Sequence, residues 1–194
     1  MRIVGVLLAA GAGARFGGAK LLAPLPVASH GVSAGTAIGV AAAMHLMAAL
    51  NDVVIVVRPR DSVLEHALAG SGGRVVVCER ASEGMGASLA CGVRDAGIAD
   101  GYVIALADMP WIAPASVSAV ADALKSGAEI AATSYRGERG HPVGFAKPYF
   151  NVLINLTGDE GARAVIAARK WALQTVAVDD PGVLRDVDRP ADLA

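Results

Sequence analysis

No aspartate or glutamate occurs before Asp52, so the first 51 residues carry Arg2, Arg15 and Lys20 with no carboxylate to neutralise them. A chain end with that balance attracts anions. Over the whole chain the charge nearly cancels, at a net −1 with only 18% charged residues, which excludes a protein that coats nucleic acid. Cysteine is scarce too. Cys78 and Cys91 have neither metal-ligand spacing nor a companion histidine pair, and Cys78, at the end of an apolar run, reads as a small core residue. Long apolar runs are missing: the run after Arg2 is broken by glycine too early for a signal peptide. The stretch Ala37 to Leu50 holds Gly39 and His45 and falls short of a membrane span. A cytoplasmic protein without membrane contact is expected. There is no repeat, low-complexity tract or dividing linker, so residues 1–194 read as one domain.

What is present is a 54% hydrophobic chain, long enough to bury a substantial core. Short β-rich runs alternate with helical segments, which predicts an α/β fold with a mainly parallel sheet covered on both faces. Strands are expected at 4–8, 53–57, 74–78, 102–106 and 129–133. Helices are expected from a Thr36 cap to about residue 50, from an Asp61 or Ser62 cap to 69, from 84 to about 95, and over 114–125 with Pro114 in the first turn. The later texture differs: a polar loop over 136–145 leading into a short strand, helices over 147–156 and 161–170, a strand over 173–178, and a short extended piece with a capped turn at 184–192.

The densest signal lies in residues 4–20. An apolar β-branched run ends in Leu8, Ala9 and Ala10 and breaks into a loop with Gly11, Gly13, Gly17 and Gly18, from which Arg15 and Lys20 project. Glycines let a backbone turn tightly and bring its N–H groups against a ligand, and two fixed cations answer a polyanion. The alternative is a structural glycine turn with incidental charges. A dinucleotide fingerprint fails, because Phe16 stands where the third glycine belongs and no carboxylate follows the second strand, which ends in Arg58 and Pro59. A Walker loop fails because Ala19, Lys20 and Leu21 follow the right glycine gap.

Ligands of open α/β sheets gather beyond the carboxyl ends of the strands. Three features are expected to converge there: the glycine loop, the helix start at Gly84, Met85 and Ser88, and Asp108 at the end of Ala105-Leu-Ala-Asp-Met-Pro110. Asp108 has no cation beside it in sequence, so it reads as a ligand for a hard divalent cation or as a cap before Pro110. Asp186 and Asp188 stand two apart, and in an extended segment both carboxylates look to one face. The alternative is a solvated acidic turn paired with Arg185 and Arg189.

The run Leu8-Ala-Ala-Gly11, Gly13, Arg15-Phe-Gly17 and Lys20 resembles the signature of nucleotidyltransferases of the molybdopterin cytidylyl/guanylyltransferase (MobA/MocA-like) kind. The hexad around Asp108 is similar to that family's L-x-D-x-P element. Arg185-Asp-Val-Asp-Arg-Pro-Ala-Asp192 is similar to its closing D-x-D-x-P-x-D, and residues 139–145 and 158–163 to its R-G-H-P-V-G-F and G-D-x-G-A-R runs. The resemblance implies a single-domain, Rossmann-like three-layer sandwich of the nucleotide-diphospho-sugar-transferase kind. It implies Mg²⁺, or Mn²⁺ in its place, on Asp108 with Asp186 or Asp188, Asp186 being preferred. It places Lys20 and Arg15 on the leaving phosphates, and His141 and Arg163 at the acceptor pocket, with His141 as a substrate contact more than a general base. The implied reaction transfers a nucleotidyl group from an NTP to a phosphorylated acceptor, by resemblance molybdenum-bound molybdopterin, a phosphorylated pterin. A molybdoenzyme or its chaperone is the expected partner. Ala10 looks like the cytidylyl branch, which makes CTP the expected substrate. The family's Gly-x-Pro near residue 35 is replaced by Gly35-Thr-Ala37, so residues 24–35 depart from the pattern. Two other functions stay open on the residues alone: a nicotinamide-dependent oxidoreductase, and a non-catalytic cofactor-maturation partner.

Overall fold

A computed structural model describes all residues except Ala12, Ala14, Glu160 and Ala194. Among the described residues seven strands form one sheet in the order β3-β2-β1-β4-β6-β5-β7. They are β1 (Ile3–Leu8), β2 (Val53–Val57), β3 (Arg74–Val77), β4 (Gly101–Leu106), β5 (Ile130–Tyr135), β6 (Glu138–Ala146) and β7 (Leu173–Ala177). Only β6 runs against its neighbours β4 and β5. The helices are α1 (Ile38–Ala49), α2 (Ser62–Ala69), α3 (Met85–Ala96), α4 (Pro114–Lys125), α5 (Phe150–Leu153) and α6 (Arg163–Ala168).

Alternation along the central strands makes two cores. Ile3, Leu7, Val53, Ile55, Val57 and Val103 face buried side chains of α1, α2 and α4. Val4, Val6, Val54, Val56, Tyr102 and Ile104 face α3, α5 and α6. This is the three-layer α/β sandwich expected, with β1 and β4 buried on both faces. Each fully buried aliphatic side chain contributes roughly 1.5–3 kcal/mol. The ends of β1 and β4 are therefore stiff supports for whatever follows them.

Several local expectations fail, each for a physical reason. Residues 138–146 are not a polar loop but a nine-residue strand. Arg136 and Gly137, at φ 51° and 85°, make the tight hairpin turn that joins it to β5. A register shift between Ala132 and Ser134 on β5 lets His141 and Pro142 sit inside the ladder although Pro142 has no N–H to give. Thr36 does not cap α1: Ala37 holds that position without a side-chain bond, and the Thr36 carbonyl accepts from Leu25 instead. Asp61 precedes α2 without capping it, because its carboxylate pairs with Arg58 at 3.0 Å. The helix expected over 147–156 is a 3-10 turn plus the four residues of α5, and that over 161–170 contracts to α6. Among the described residues no helix is long and apolar enough to cross a membrane.

Candidate active site

The glycine loop leaves β1 at the carboxyl edge of the sheet. Gly13 adopts φ +62°, and a Cβ there would stand 3.0 Å from the Gly18 carbonyl and 3.2 Å from Lys20 Cβ. A side chain would thus break the turn that returns the chain to Lys20. The loop closes through Phe16 N–H to Gly13 O at 3.0 Å and Lys20 N–H to Gly18 O at 2.8 Å. Part of the expected N–H cradle over 11–17 falls on Ala12 and Ala14, outside the described residues.

Asp108 follows the end of β4, where the Ala107 N–H bonds the Leu8 carbonyl at 3.1 Å and so ties the two strand ends together. The C-terminal segment reaches the same place because the Val187 N–H donates to the Asp108 carbonyl at 2.9 Å and its side chain is fully buried in the core. With Val187 turned inward, Asp186 and Asp188 both turn outward, as the spacing of two predicts. Asp192 closes the segment by accepting from the N–H groups of Asp188 and Arg189 at 2.8 and 2.6 Å.

The charges then meet. Lys20 Nζ donates to Asp108 Oδ2 at 2.7 Å and lies 3.8 Å from Asp188 Oδ1. Arg15 pairs with the other oxygen of Asp188. Asp108 is thus paired, with a cation 88 residues away in sequence, and among the described residues its carboxylate accepts from no backbone N–H, so the cap alternative fails. Asp188 is no solvated turn residue either. Arg185 stacks on the Trp111 ring at 3.6 Å, and Arg15 and Lys20 take the partner role expected of Arg185 and Arg189. Of the two carboxylates in the C-terminal segment, Asp188 is the one that reaches Lys20. Asp186 is held above its ordinary pKa by burial, with the nearby Asp188 and Asp108 carboxylates adding to the effect and its own N–H and Lys20 opposing it.

Two adjoining cavities open over this edge. The first, of about 570 Å³, is lined by Leu8, Ala10, Gly11, Lys20, Gly84, Met85, Ser88 and Asp108, together with Arg58, Glu79 and Asp159. The second, of about 640 Å³, takes in Arg139, His141, Ala162 and Arg163. Leu8, Met85, Leu106 and Asp159 line both. Pairing of β6 with β4 stops at Ile104 and Val143, and the second cavity lies where the two strands part. Burial holds the His141 imidazole below its ordinary pKa and Arg139 does the same, while the Asp108 carboxylate opposes them, so the ring is neutral at pH 7. Its Nδ1 is buried without a partner among the described residues.

The expected site residues are therefore largely brought together, with exceptions. Ala9 turns into the core rather than the cavity. Gly13, Arg15, Gly17, Asp186 and Asp188 line neither of these two cavities; Gly17, at φ +81°, shapes the loop, and Arg15 and Asp188 pair with each other beside Lys20. Arg58, Glu79, Asp159 and Arg139 are additions. Arg58 and Glu79 follow β2 and β3, so the rule that ligands gather past strand ends could have found them; Arg139 and Asp159 lie within motifs already noted.

As a metal centre the donor set is small: among the described residues no three of His, Cys, Asp and Glu are grouped to hold an ion. Two carboxylates converging on one ammonium still fit a divalent cation that takes its other ligands from phosphate and water.

A cation-bearing glycine loop facing carboxylates at the end of a mainly parallel sheet, with two adjoining cavities above, suits a polyphosphate ligand. A family model described as the MobA-like NTP transferase domain matches residues 5–176, and the chain belongs to that family of nucleotidyltransferases. Purine catabolism protein PucB of Bacillus subtilis (strain 168) is 34% identical over 97% of this chain and 92% of its own length. Nicotine blue oxidoreductase of Paenarthrobacter nicotinovorans is 29% identical over 96% of this chain and 92% of its own. Rv0371c of Mycobacterium tuberculosis H37Rv, a solved structure, superposes with a TM-score of 0.82 at 30% identity, covering 98% of this chain and 94% of that one. A second structure of that protein is a manganese complex, 28% identical with a TM-score of 0.75, covering 99% and 96% of the two chains.

Proposed function

We propose that the protein transfers a cytidylyl group from CTP to the phosphate of a molybdenum-bearing phosphorylated pterin and releases pyrophosphate. The observation that carries the reading is the pair of joined cavities, with Lys20 and Asp108 in the first and Arg139, His141 and Arg163 in the second. A triphosphate in the first lies with its leaving phosphates toward Lys20 and Arg15. An acceptor phosphate held by Arg139 and Arg163 enters from the second. An acceptor oxygen forms the new bond to the α-phosphorus, and the bond from that phosphorus to the oxygen leading to the β-phosphate breaks. The nucleophile is already ionised, so no base is needed, and neutral His141 serves as a hydrogen-bonding contact. Catalysis is then positioning and charge neutralisation. Asp108 and Asp188 would hold a divalent cation, Mg²⁺ or Mn²⁺, which when bound supplies Lewis-acid charge to the phosphate oxygens. The manganese complex of Rv0371c supports a metal in this family. Ala10 lines the first cavity, where its Cβ narrows the space for a base and favours cytosine over guanine.

The test is Mg²⁺-dependent pyrophosphate release with molybdopterin and each of CTP and GTP, with NADH and NADPH as competitors. Turnover with CTP is expected. Equal turnover with GTP overturns the base assignment. Tight binding of a nicotinamide dinucleotide with no pyrophosphate release overturns the whole reading, in favour of the chemistry that the name of the Paenarthrobacter relative suggests. Against that outcome stands the end of β2, where Arg58, paired with Asp61, occupies the place of a ribose-binding carboxylate.

A further inference from the structure

Lys20 has two claims on it. In a nucleotidyl transfer it belongs to the leaving phosphates, yet its ammonium lies between the two carboxylates suited to a metal, 2.7 Å from Asp108 and 3.8 Å from Asp188. Its side chain is only 12% exposed there. Arg15, the second cation of the loop, is likewise held on Asp188. The two groups that a triphosphate needs and the two that a divalent cation needs therefore neutralise one another across the cleft.

We propose that Lys20 is a resident cation that occupies the metal position and leaves it only when a triphosphate draws its ammonium away, so that metal and nucleotide enter as a pair. The electrostatics carry this. A divalent cation arriving alone meets an ammonium a few ångströms off in a partly dehydrated cleft, where like charges repel strongly. A triphosphate arriving alone must take Lys20 and Arg15 from their partners and leaves Asp108, Asp186 and Asp188 facing it uncompensated. When both arrive, each relieves the other's penalty: the phosphates take the ammonium and the metal takes the carboxylates. Such coupling is reciprocal, so nucleotide tightens metal binding by the same factor as metal tightens nucleotide binding. The proposal rests on the reading of Asp108 and Asp188 as metal carboxylates.

The experiment measures Mn²⁺ binding to the full chain by the loss of the free-ion electron paramagnetic resonance signal, without nucleotide and with CTP. Nucleotide supplies phosphate ligands of its own, so tightening by CTP alone does not discriminate; the variants do. Without nucleotide, Lys20→Met is expected to bind Mn²⁺ at least about tenfold more tightly than wild type, the ratio given by a 1.4 kcal/mol difference. Adding Asp108→Asn to that variant should abolish the gain, and Lys20→Arg, which keeps the charge, should stay weak. Thermal melts guard against a folding defect, since Mn²⁺ should raise the Tm of Lys20→Met more than that of wild type. If Lys20→Met without nucleotide binds Mn²⁺ no more tightly than wild type, while Mn²⁺ with CTP raises the Tm of both above CTP alone, the resident-cation proposal is overturned and the metal reading stands. If Mn²⁺ raises the Tm of none of the proteins, with or without CTP, the metal reading falls and the proposal falls with it.

Discussion

The same chemical change at two carboxylates of one cleft should move stability in opposite directions. Asp108→Asn removes the negative partner of Lys20, in a pair whose side chains are 12% and 23% exposed and 2.7 Å apart. Both are well below the exposure at which solvent reduces an ion pair to near nothing. A hydrogen bond to a charged group contributes about 1.5–3 kcal/mol. Two features reduce the loss here: the asparagine oxygen still accepts from the ammonium, and Asp188 remains 3.8 Å away as a second anion. The expected cost is about 1 kcal/mol, which in a chain of this size lowers Tm by about 2–4 °C. Asp186 is the opposite case. Burial, together with repulsion from Asp188 and Asp108, raises its pKa, and no side-chain cation bonds it among the described residues. A carboxylate with a raised pKa opposes folding at neutral pH, so Asp186→Asn should leave Tm unchanged or raise it. Scanning calorimetry of the two variants in metal-free buffer at pH 7 decides the matter. A Tm for Asp108→Asn at or above wild type, or a drop for Asp186→Asn as large as that for Asp108→Asn, would refute the charge layout. With Mg²⁺, CTP and acceptor present, Asp108→Asn should also lose turnover, since an amide is a poor ligand for a hard cation.

Three further outcomes follow from the same geometry. Lys20→Ala should cut turnover by on the order of 10²-fold, as loss of one preorganised charge stabiliser commonly does, and wild-type turnover in the variant would remove the loop from the phosphate site. Gly86→Ala would place a Cβ 2.5 Å from the Thr157 carbonyl, displacing the loop that carries Asp159, which lines both cavities; steady-state kinetics should show a higher KM for both CTP and acceptor, and unchanged values for both would count against that loop's place at the site. His45 and His141 are held below their ordinary pKa of 6.5, chiefly by burial; below about pH 6.5 the unfolded chain binds protons that the folded one refuses, so stability is lost as pH falls, and His45→Gln should flatten that acid limb in a series of melts.

How much of this was legible beforehand depends on the range of the interaction concerned. Strand β2 and helix α4 lie where periodicity and Pro114 put them, because a fully buried apolar run and a proline-started helix are specified within a few residues. Strand β6 was not legible. Its Arg139-Gly-His-Pro sequence is turn-like locally and becomes part of a strand because β5 pairs with Glu138 and Arg139 across the hairpin and β4 and β5 both pair with Val143 to Phe145 beyond it, a tertiary decision that overrides local preference. The capping expectations failed in the same way, since a longer-range or competing partner took the group: Asp61 went to Arg58.

The site divides along the same line. Which elements converge could be read from strand ends, but how their charges are paired could not. Asp108 has no cation beside it in sequence, only Ala107 and Met109. Its partner lies 88 residues earlier, on the loop that was expected to hold phosphate. The absence of carboxylates from the first 51 residues acquires a second meaning from this: the cations of the glycine loop have no local carboxylates to pair with and must find them just past the end of β4 and on the C-terminal segment. The loop is therefore drawn across the cleft onto the very groups that would share the work of nucleotide and metal binding, and Lys20 comes to lie where either ligand must contend with it.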